Sequence, residues 1–120
     1  EYSLQPTIIQ ANMNLIYIVI NNLLSNAVKY SNEGAKIYVS CGEKDGKSYI
    51  RIQDEGCGIE KENISKIFES FYREEKDRNA EGFGLGLSQA MKIAELYGGG
   101  IYVESTKNKG SIFTFFIPKP

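Results

Sequence analysis

Asp54-Glu55-Gly56-Cys57-Gly58 sets a carboxylate at the end of a strand-like run and follows it with two near-adjacent glycines. Glycine loses more backbone freedom on folding than any other residue. Such a cluster therefore marks chain that must take up positive φ or pass close to something else. Upstream, residues 36–43 and 47–54 show partial two-residue alternation on either side of Asp45-Gly46, a strong hairpin turn signal. Further back, Ile16, Ile20, Leu23, Leu24 and Ala27 recur at helical spacing over residues 13–30, with Asn12 or Asn14 placed to cap the helix. Thr7-Ile8-Ile9-Gln10 reads as a short strand before it.

Downstream, residues 59–68 read as a short helix with Ile64, Ile67 and Phe68 inward. Residues 73–81 carry seven charged side chains in nine positions and are expected to form a mobile loop. A second glycine run, Gly82-Phe83-Gly84-Leu85-Gly86-Leu87-Ser88, leads straight into an amphipathic helix over 87–97, which Gly98-Gly99-Gly100 stops. Residues 101–105 and 112–117 form a last hairpin across Asn108-Lys109-Gly110. The order βαββα-loop-αββ predicts a two-layer α/β (α+β) sandwich, a mixed, mainly antiparallel sheet with helices on one face.

At 120 residues the chain has room for one core and one domain. Its net charge of −1 argues against a nucleic-acid surface. No apolar run reaches the ~18–20 residues that span a bilayer, so no direct membrane contact is expected. With neither a signal peptide nor an initiator Met, the chain reads as a domain cut from something longer. Two cysteines, Cys41 and Cys57, are too few for a disulfide framework and point to a reducing cytosol. Histidine is absent, which removes His-based triads, most zinc chemistry and any His general base.

Three features point to one kind of ligand. A helix that begins at a glycine-rich loop offers free N–H groups and a partial positive charge, suited to phosphate. Asn22-Leu23-Leu24-Ser25-Asn26-Ala27-Val28-Lys29-Tyr30 places Asn22, Asn26 and Lys29 in one stripe, read as lying well away from the Ile20/Leu24/Ala27 face. The ordinary alternative is a solvated stripe, yet Asn is a poor interior helix former and Glu, Lys or Gln would serve better there. Mg²⁺ prefers hard oxygen ligands and keeps several waters, so an amide oxygen plus phosphate oxygens is a reasonable set. Asp54 could be a plain turn former. A buried carboxylate, a phosphate loop and an amide pair together make a nucleotide site, with ATP and Mg²⁺ as the ligands expected. Two rival nucleotide readings fail. The 82–86 spacing is G-x-G-x-G after a charged loop, not the G-x-G-x-x-G of a dinucleotide fold, and Gly42-Glu43-Lys44-Asp45-Gly46-Lys47-Ser48 is one residue short of a P-loop and sits in a hairpin.

In series these segments resemble the ATP-binding domain of bacterial sensor histidine kinases, within the superfamily of gyrase, heat-shock chaperone and mismatch-repair ATPases (the Bergerat-type fold). Asn22 to Tyr30 is similar to that family's N box, and Asp54 to Gly58 to its first glycine box. Phe68-Glu69-Ser70-Phe71-Tyr72-Arg73 is similar to the F box, Gly82 to Gly86 to the second glycine box, and Lys109-Gly110-Ser111-Ile112-Phe113 to the closing motif. The resemblance implies Asn26 as the Mg²⁺ ligand, Asn22 as a supporting phosphate or metal-shell contact, Lys29 as a phosphate contact and Tyr30 against the nucleotide. It implies that Asp54 accepts from the adenine 6-amino group, with Gly56 and Gly58 letting the backbone pass the ring and Ile59 packing on it. Gly82, Gly84, Leu85, Gly86 and Leu87 would line the phosphates, and Arg73 would be a lid charge or a phosphate or partner contact. Phe68 and Phe71 read as core anchors rather than chemistry.

The implied activity is that of a protein histidine kinase. The domain would bind Mg·ATP and give its γ-phosphoryl group to a histidine on a separate dimerisation domain, from which it passes to a response-regulator aspartate. Residues 73–81 would be the lid, and the location would be the cytoplasmic portion of a membrane-anchored sensor. Since this chain has no histidine, it carries no certain catalytic residue and is expected to be inactive for autophosphorylation alone. Three alternatives stay open: a serine kinase of the anti-sigma-factor type, a gyrase- or chaperone-type ATPase, and a module that senses ATP without transfer.

Overall fold

The apolar spacing upstream of Tyr30 becomes an 18-residue helix, α1 (Met13–Tyr30), whose Val19 and Leu23 are almost wholly buried beside Ile16 and Ala27. Asn12 caps it: its side-chain oxygen accepts from the N–H groups of Asn14 at 2.8 Å and Leu15 at 3.3 Å. That satisfies two of the first-turn donors that have no partner inside the helix. The Asn12 N–H itself donates to the Tyr97 hydroxyl at 2.8 Å, tying the start of α1 to the end of the second helix.

The computed structural model describes residues 2–4, 11–31, 34–64, 66–68 and 86–119. Five strands form one sheet: β1 (Tyr2–Leu4), β2 (Ile37–Lys44), β3 (Lys47–Asp54), β4 (Gly100–Thr106) and β5 (Gly110–Pro118), in the order β1-β2-β3-β5-β4. All neighbours are antiparallel except β1 and β2, so the sheet is mixed and mainly antiparallel, as expected. The strand expected over 7–10 lies outside the described residues. Asp45 (φ 53°) and Gly46 (φ 76°) both have positive φ, the geometry of a type I′ turn, and join β2 to β3. This is the segment that imitates a P-loop, and it is a hairpin.

The second helix, α2 (Gly86–Leu96), ends as its glycines predict. Gly98 takes φ 80°, its N–H bonds the Glu95 carbonyl, and the Gly99 N–H bonds the Ala94 carbonyl, a Schellman motif. Ala90 and Ala94 are completely buried, and α2 lies against α1 on one side and β4 and β5 on another. Small side chains there let the elements approach closely. The inward residues Ile52, Ile101, Phe113, Phe115 and Ile117 supply the sheet's half of the core, and both helices lie on that face. Removing the Phe115 side chain would cost about 3–5 kcal/mol.

Two expectations need correction. The helix expected over 59–68 is only a 3-10 turn at Lys61–Asn63 within the described residues, although Ile67 is buried and Phe68 lies against the core. Glu60, at its start, gives no side-chain cap, and so short a segment has few internal bonds to offset the cost of nucleating a helix. The buried face of α1 is also rotated from the expected one. Val19 and Leu23 lie at its centre, while Ile20 and Leu24 are half-buried at its margin.

Candidate functional site

That rotation decides where the amide stripe lies. At ~100° per residue, Asn26 stands only about 20° around the helix from Val19. The stripe therefore flanks the core instead of standing well away from it, and Asn22 and Asn26 are both half-buried. Asn22 lies under the start of α2: its Oδ1 would be 3.3 Å from a Cβ on Gly86, and its Nδ2 donates to Gln89 Oε1 at 3.4 Å. Asn22 thus faces the helix N-terminus that follows the second glycine run. Lys29 is exposed, with its ammonium 5.6 Å from the centroid of the Tyr30 ring, a cation–π contact at an exposed site.

The other end of the stripe meets the first glycine cluster. The Cys57 N–H donates to the Tyr30 carbonyl at 3.2 Å, and a Cβ on Gly56 would run into that carbonyl oxygen. Gly58, at φ 69°, leaves no room for a Cβ against the carbonyl of Thr106. The Cys57 carbonyl accepts from Asn108 N–H at 2.7 Å. These two glycines are required because the loop is wedged between the C-terminus of α1 and the β4–β5 hairpin. Ile59 is half-buried on the core, and its N–H donates to Ser105 Oγ at 2.7 Å. Leu87 also lies against the core.

Asp54 ends β3 with its side chain inward and is 3% exposed. Its carboxylate accepts the Gly56 N–H at 2.9 Å and the Ser111 N–H. Burial pushes its pKa up, the two backbone donors pull it down, and burial wins. A buried carboxylate with lone pairs beyond those two bonds is suited to a ligand that brings a donor.

Two residues of this corner, Ser105 and Ser111, were given no site role from the sequence, although Ser111 lies in the closing motif. Strand pairing aligns Asp54 with Ser111 and Ser111 with Ser105, so the three form one inward row across β3, β5 and β4. The Ser105 and Ser111 hydroxyl oxygens are 2.7 Å apart. The available signal was the alternation itself: Ser105 follows Ile101 and Val103, and Ser111 precedes Phe113 and Phe115, at positions where apolar residues belong.

Arg73, Gly82, Gly84, Leu85 and the 73–81 segment lie outside the described residues, as do Phe71 and the rest of the F-box-like run after Phe68. Among the described residues no group of three or more His, Cys, Asp or Glu side chains could hold a metal. No helix of the described residues is long and apolar enough to cross a membrane.

A mixed sheet under two helices, with a glycine-wedged buried carboxylate and an amide stripe that runs from its loop to Asn22 below a helix start, defines a nucleotide-binding ATPase domain. Residues 11–120 match the family model of histidine kinase-, DNA gyrase B-, and HSP90-like ATPases, and the chain belongs to that family. It is 38% identical over 114 residues to the sensor histidine kinase WalK of Bacillus subtilis (strain 168), a match covering 92% of this chain and 19% of WalK. It is 43% identical over 111 residues to the adaptive-response sensory kinase SasA of Gloeothece citriformis (strain PCC 7424), covering 92% of this chain and 28% of that one. The chain thus spans less than a third of the length of these relatives. Among solved structures, the mycobacterial sensor histidine kinase MprB matches with a TM-score of 0.90 at 25% identity, covering 100% of this chain and 83% of that one. Full-length ShkA in complex with AMPPNP matches with a TM-score of 0.84 at 26% identity, over 98% of this chain and 24% of ShkA. The fold expected from the sequence is thereby shown, and so is the kinship with sensor histidine kinases.

Proposed function

We propose that this chain is the ATP-binding catalytic domain of a longer two-component sensor kinase, and that it donates the γ-phosphoryl group of Mg·ATP to a histidine on a partner dimerisation domain. The observation that carries the reading is Asp54. Its carboxylate is buried and held by two backbone N–H groups, and glycines clear the backbone beside it. A carboxylate only accepts, so it selects the 6-amino group of adenine over the 6-oxo group of guanine. Asn22, Asn26 and Lys29 would meet the phosphates along the stripe, with the N-terminus of α2 adding its partial positive charge beside Asn22. Mg²⁺, held by the Asn26 amide oxygen, would supply charge neutralisation on the triphosphate.

In the transfer, the bond from the γ-phosphorus to the β–γ bridging oxygen breaks, a bond from phosphorus to an imidazole nitrogen forms, and ADP leaves. This chain has no histidine, so the acceptor comes from elsewhere, as does any group that takes the imidazole proton. Its own residues hold and orient the nucleotide, which is most of what phosphoryl transfer asks of a protein. The response regulator that would receive the phosphoryl group next lies further along the same relay, and the cytoplasm is the proposed location.

The test is to mix the chain with the dimerisation domain of its parent and radiolabelled ATP. An acid-labile, base-stable label on that domain, and none on this chain alone, is expected. Label that survives acid would identify a hydroxyl acceptor and the serine-kinase activity instead. Tight ATP binding with no label on either fragment would leave a nucleotide-sensing module.

A further inference from the structure

The row Asp54, Ser111, Ser105 contains a proton count with a consequence. A hydroxyl has one proton to donate and two lone pairs to accept with. Ser105 Oγ lies 2.7 Å from the Ile59 N–H nitrogen, 3.1 Å from the Gly110 carbonyl oxygen and 2.7 Å from Ser111 Oγ. The Ile59 N–H can only donate and the Gly110 carbonyl can only accept. All three contacts are hydrogen bonds at once only if the Ser105 proton goes to Gly110 and the Ser111 proton goes to Ser105. Reversing the pair would leave lone pairs of Ser105 and the Gly110 carbonyl facing each other at 3.1 Å in a part-buried place, a loss that folding avoids.

We propose that Ser105 is a specificity-determining positioning residue: by taking up the Ser111 hydroxyl proton, it leaves Ser111 an acceptor beside the Asp54 carboxylate. The inference rests on the reading that the base binds at Asp54. Ser111 is 5% exposed, occupies the position next to Asp54 on the same face, and binds that carboxylate through its own N–H. With the hydroxyl proton turned away, both side chains offer lone pairs only. With Asp54 set against the 6-position, a second acceptor beside it favours the two hydrogens of an amino group there and repels an oxo oxygen. Asp54 alone would leave half of that discrimination to chance, because a free serine hydroxyl can turn its proton toward an oxo group. Ser105, which need not touch the nucleotide, removes that freedom.

Inosine triphosphate is the probe, since it differs from ATP by an oxo group in place of the 6-amino group and the accompanying N1 proton. Calorimetric affinities of the intact chain for both nucleotides are measured in parallel with thermal melts. Ser105→Ala frees the Ser111 proton to meet the oxo group, so the ATP-over-ITP ratio should fall about two- to tenfold, the worth of one neutral hydrogen bond. Ser105→Thr keeps the hydroxyl and should keep the ratio. Loss of the Ile59 contact in Ser105→Ala weakens both nucleotides alike and cancels in the ratio. An unchanged ratio with both affinities lowered would make Ser105 merely structural and overturn the proposal. Ser111→Ala keeps the Ser105 bonds to Ile59 and Gly110, and tests polarity even if Ser105→Ala fails to fold. At the 6-position, removing an acceptor costs the amino group of ATP a partner and relieves the oxo group of ITP, so that ratio too should fall. A ratio that rises, or does not move, overturns the proposal. Equal affinity of the unaltered chain for ATP and ITP would instead refute the base site at Asp54, and the proposal with it.

Discussion

Replacing Asp54 by Asn separates what this carboxylate does for the fold from what it does for the ligand. In the fold, the carboxylate satisfies two backbone donors, from Gly56 and Ser111, but burial still raises its pKa above the ordinary value. The native state therefore binds the proton more tightly than the unfolded chain does. Between the ordinary carboxylate pKa near 4 and the raised one, stability falls as pH rises, and the deficit is complete only above the raised pKa. Asn never ionises and carries no such deficit. It keeps one acceptor for one of the two N–H groups and loses a charge-assisted bond to the other, worth about 1.5–3 kcal/mol before the relieved burial of charge is counted. Because burial outweighs the two donors, the variant should melt at or above the wild-type temperature at pH 7. Its advantage should shrink as pH falls toward 4. Toward ATP the effect is opposite. The proposed bond from the 6-amino group to a charged acceptor would be lost, about 1.5–3 kcal/mol again, or roughly ten- to a hundredfold in affinity. Adenine nucleotide binding to the wild type should weaken as Asp54 protonates with falling pH, and the variant should lack that dependence. Melting curves from pH 4 to 8, with calorimetric titration of ATP at each pH, give both numbers. Equal ATP affinity of the two proteins, or a variant several degrees less stable at pH 7, would refute the reasoning.

Asn26→Ala removes a proposed metal ligand while improving helix propensity, so the apo melting temperature should hold or rise slightly, and the Mg·ATP-induced increase should shrink. An unchanged increase would take Asn26 out of the metal site. Gly58→Ala forces a Cβ into the Thr106 carbonyl at φ 69°, and should destabilise the domain by more than about 1 kcal/mol as read by urea unfolding. Asn12→Ala exposes two first-turn donors and should cost about 0.5–2 kcal/mol in the same assay, with ATP affinity unchanged.

How far the sequence could be read depended on whether a feature was local. The α1 periodicity, the Asp45-Gly46 turn and the Gly98 stop each depend on residues a few positions apart, and each was legible. The short segment after Ile59 was not. Its Ile64, Ile67 and Phe68 fit a helical spacing, yet tertiary packing, not propensity, decides a piece that short. The amide stripe was recognised, but its angle to the core was misjudged because Val19 was left out of the apolar face. Including it moves the face toward Asn26 and predicts a half-buried amide, as observed.

The site divides in the same way. Asp54 and its glycines are contiguous in the chain, so the oddity of a carboxylate before a glycine pair is visible in a single reading. Ser105 and Ser111 belong to the same corner only through the β3–β5 and β4–β5 registers. No spacing in one sequence specifies a register between β3 and β5, which are separated by more than fifty residues. A slip of one residue would turn Ser111 to the outer face and bring Gly110 or Ile112 opposite Asp54. What the chain does display is two serines at inward positions of strands that are otherwise apolar there. A buried polar side chain is more informative than an exposed apolar one, because its cost must be met by a partner. Asking which partner each of these serines has leads from Ser105 to Ser111 and then to Asp54. That path leads to the proposed base end of the site.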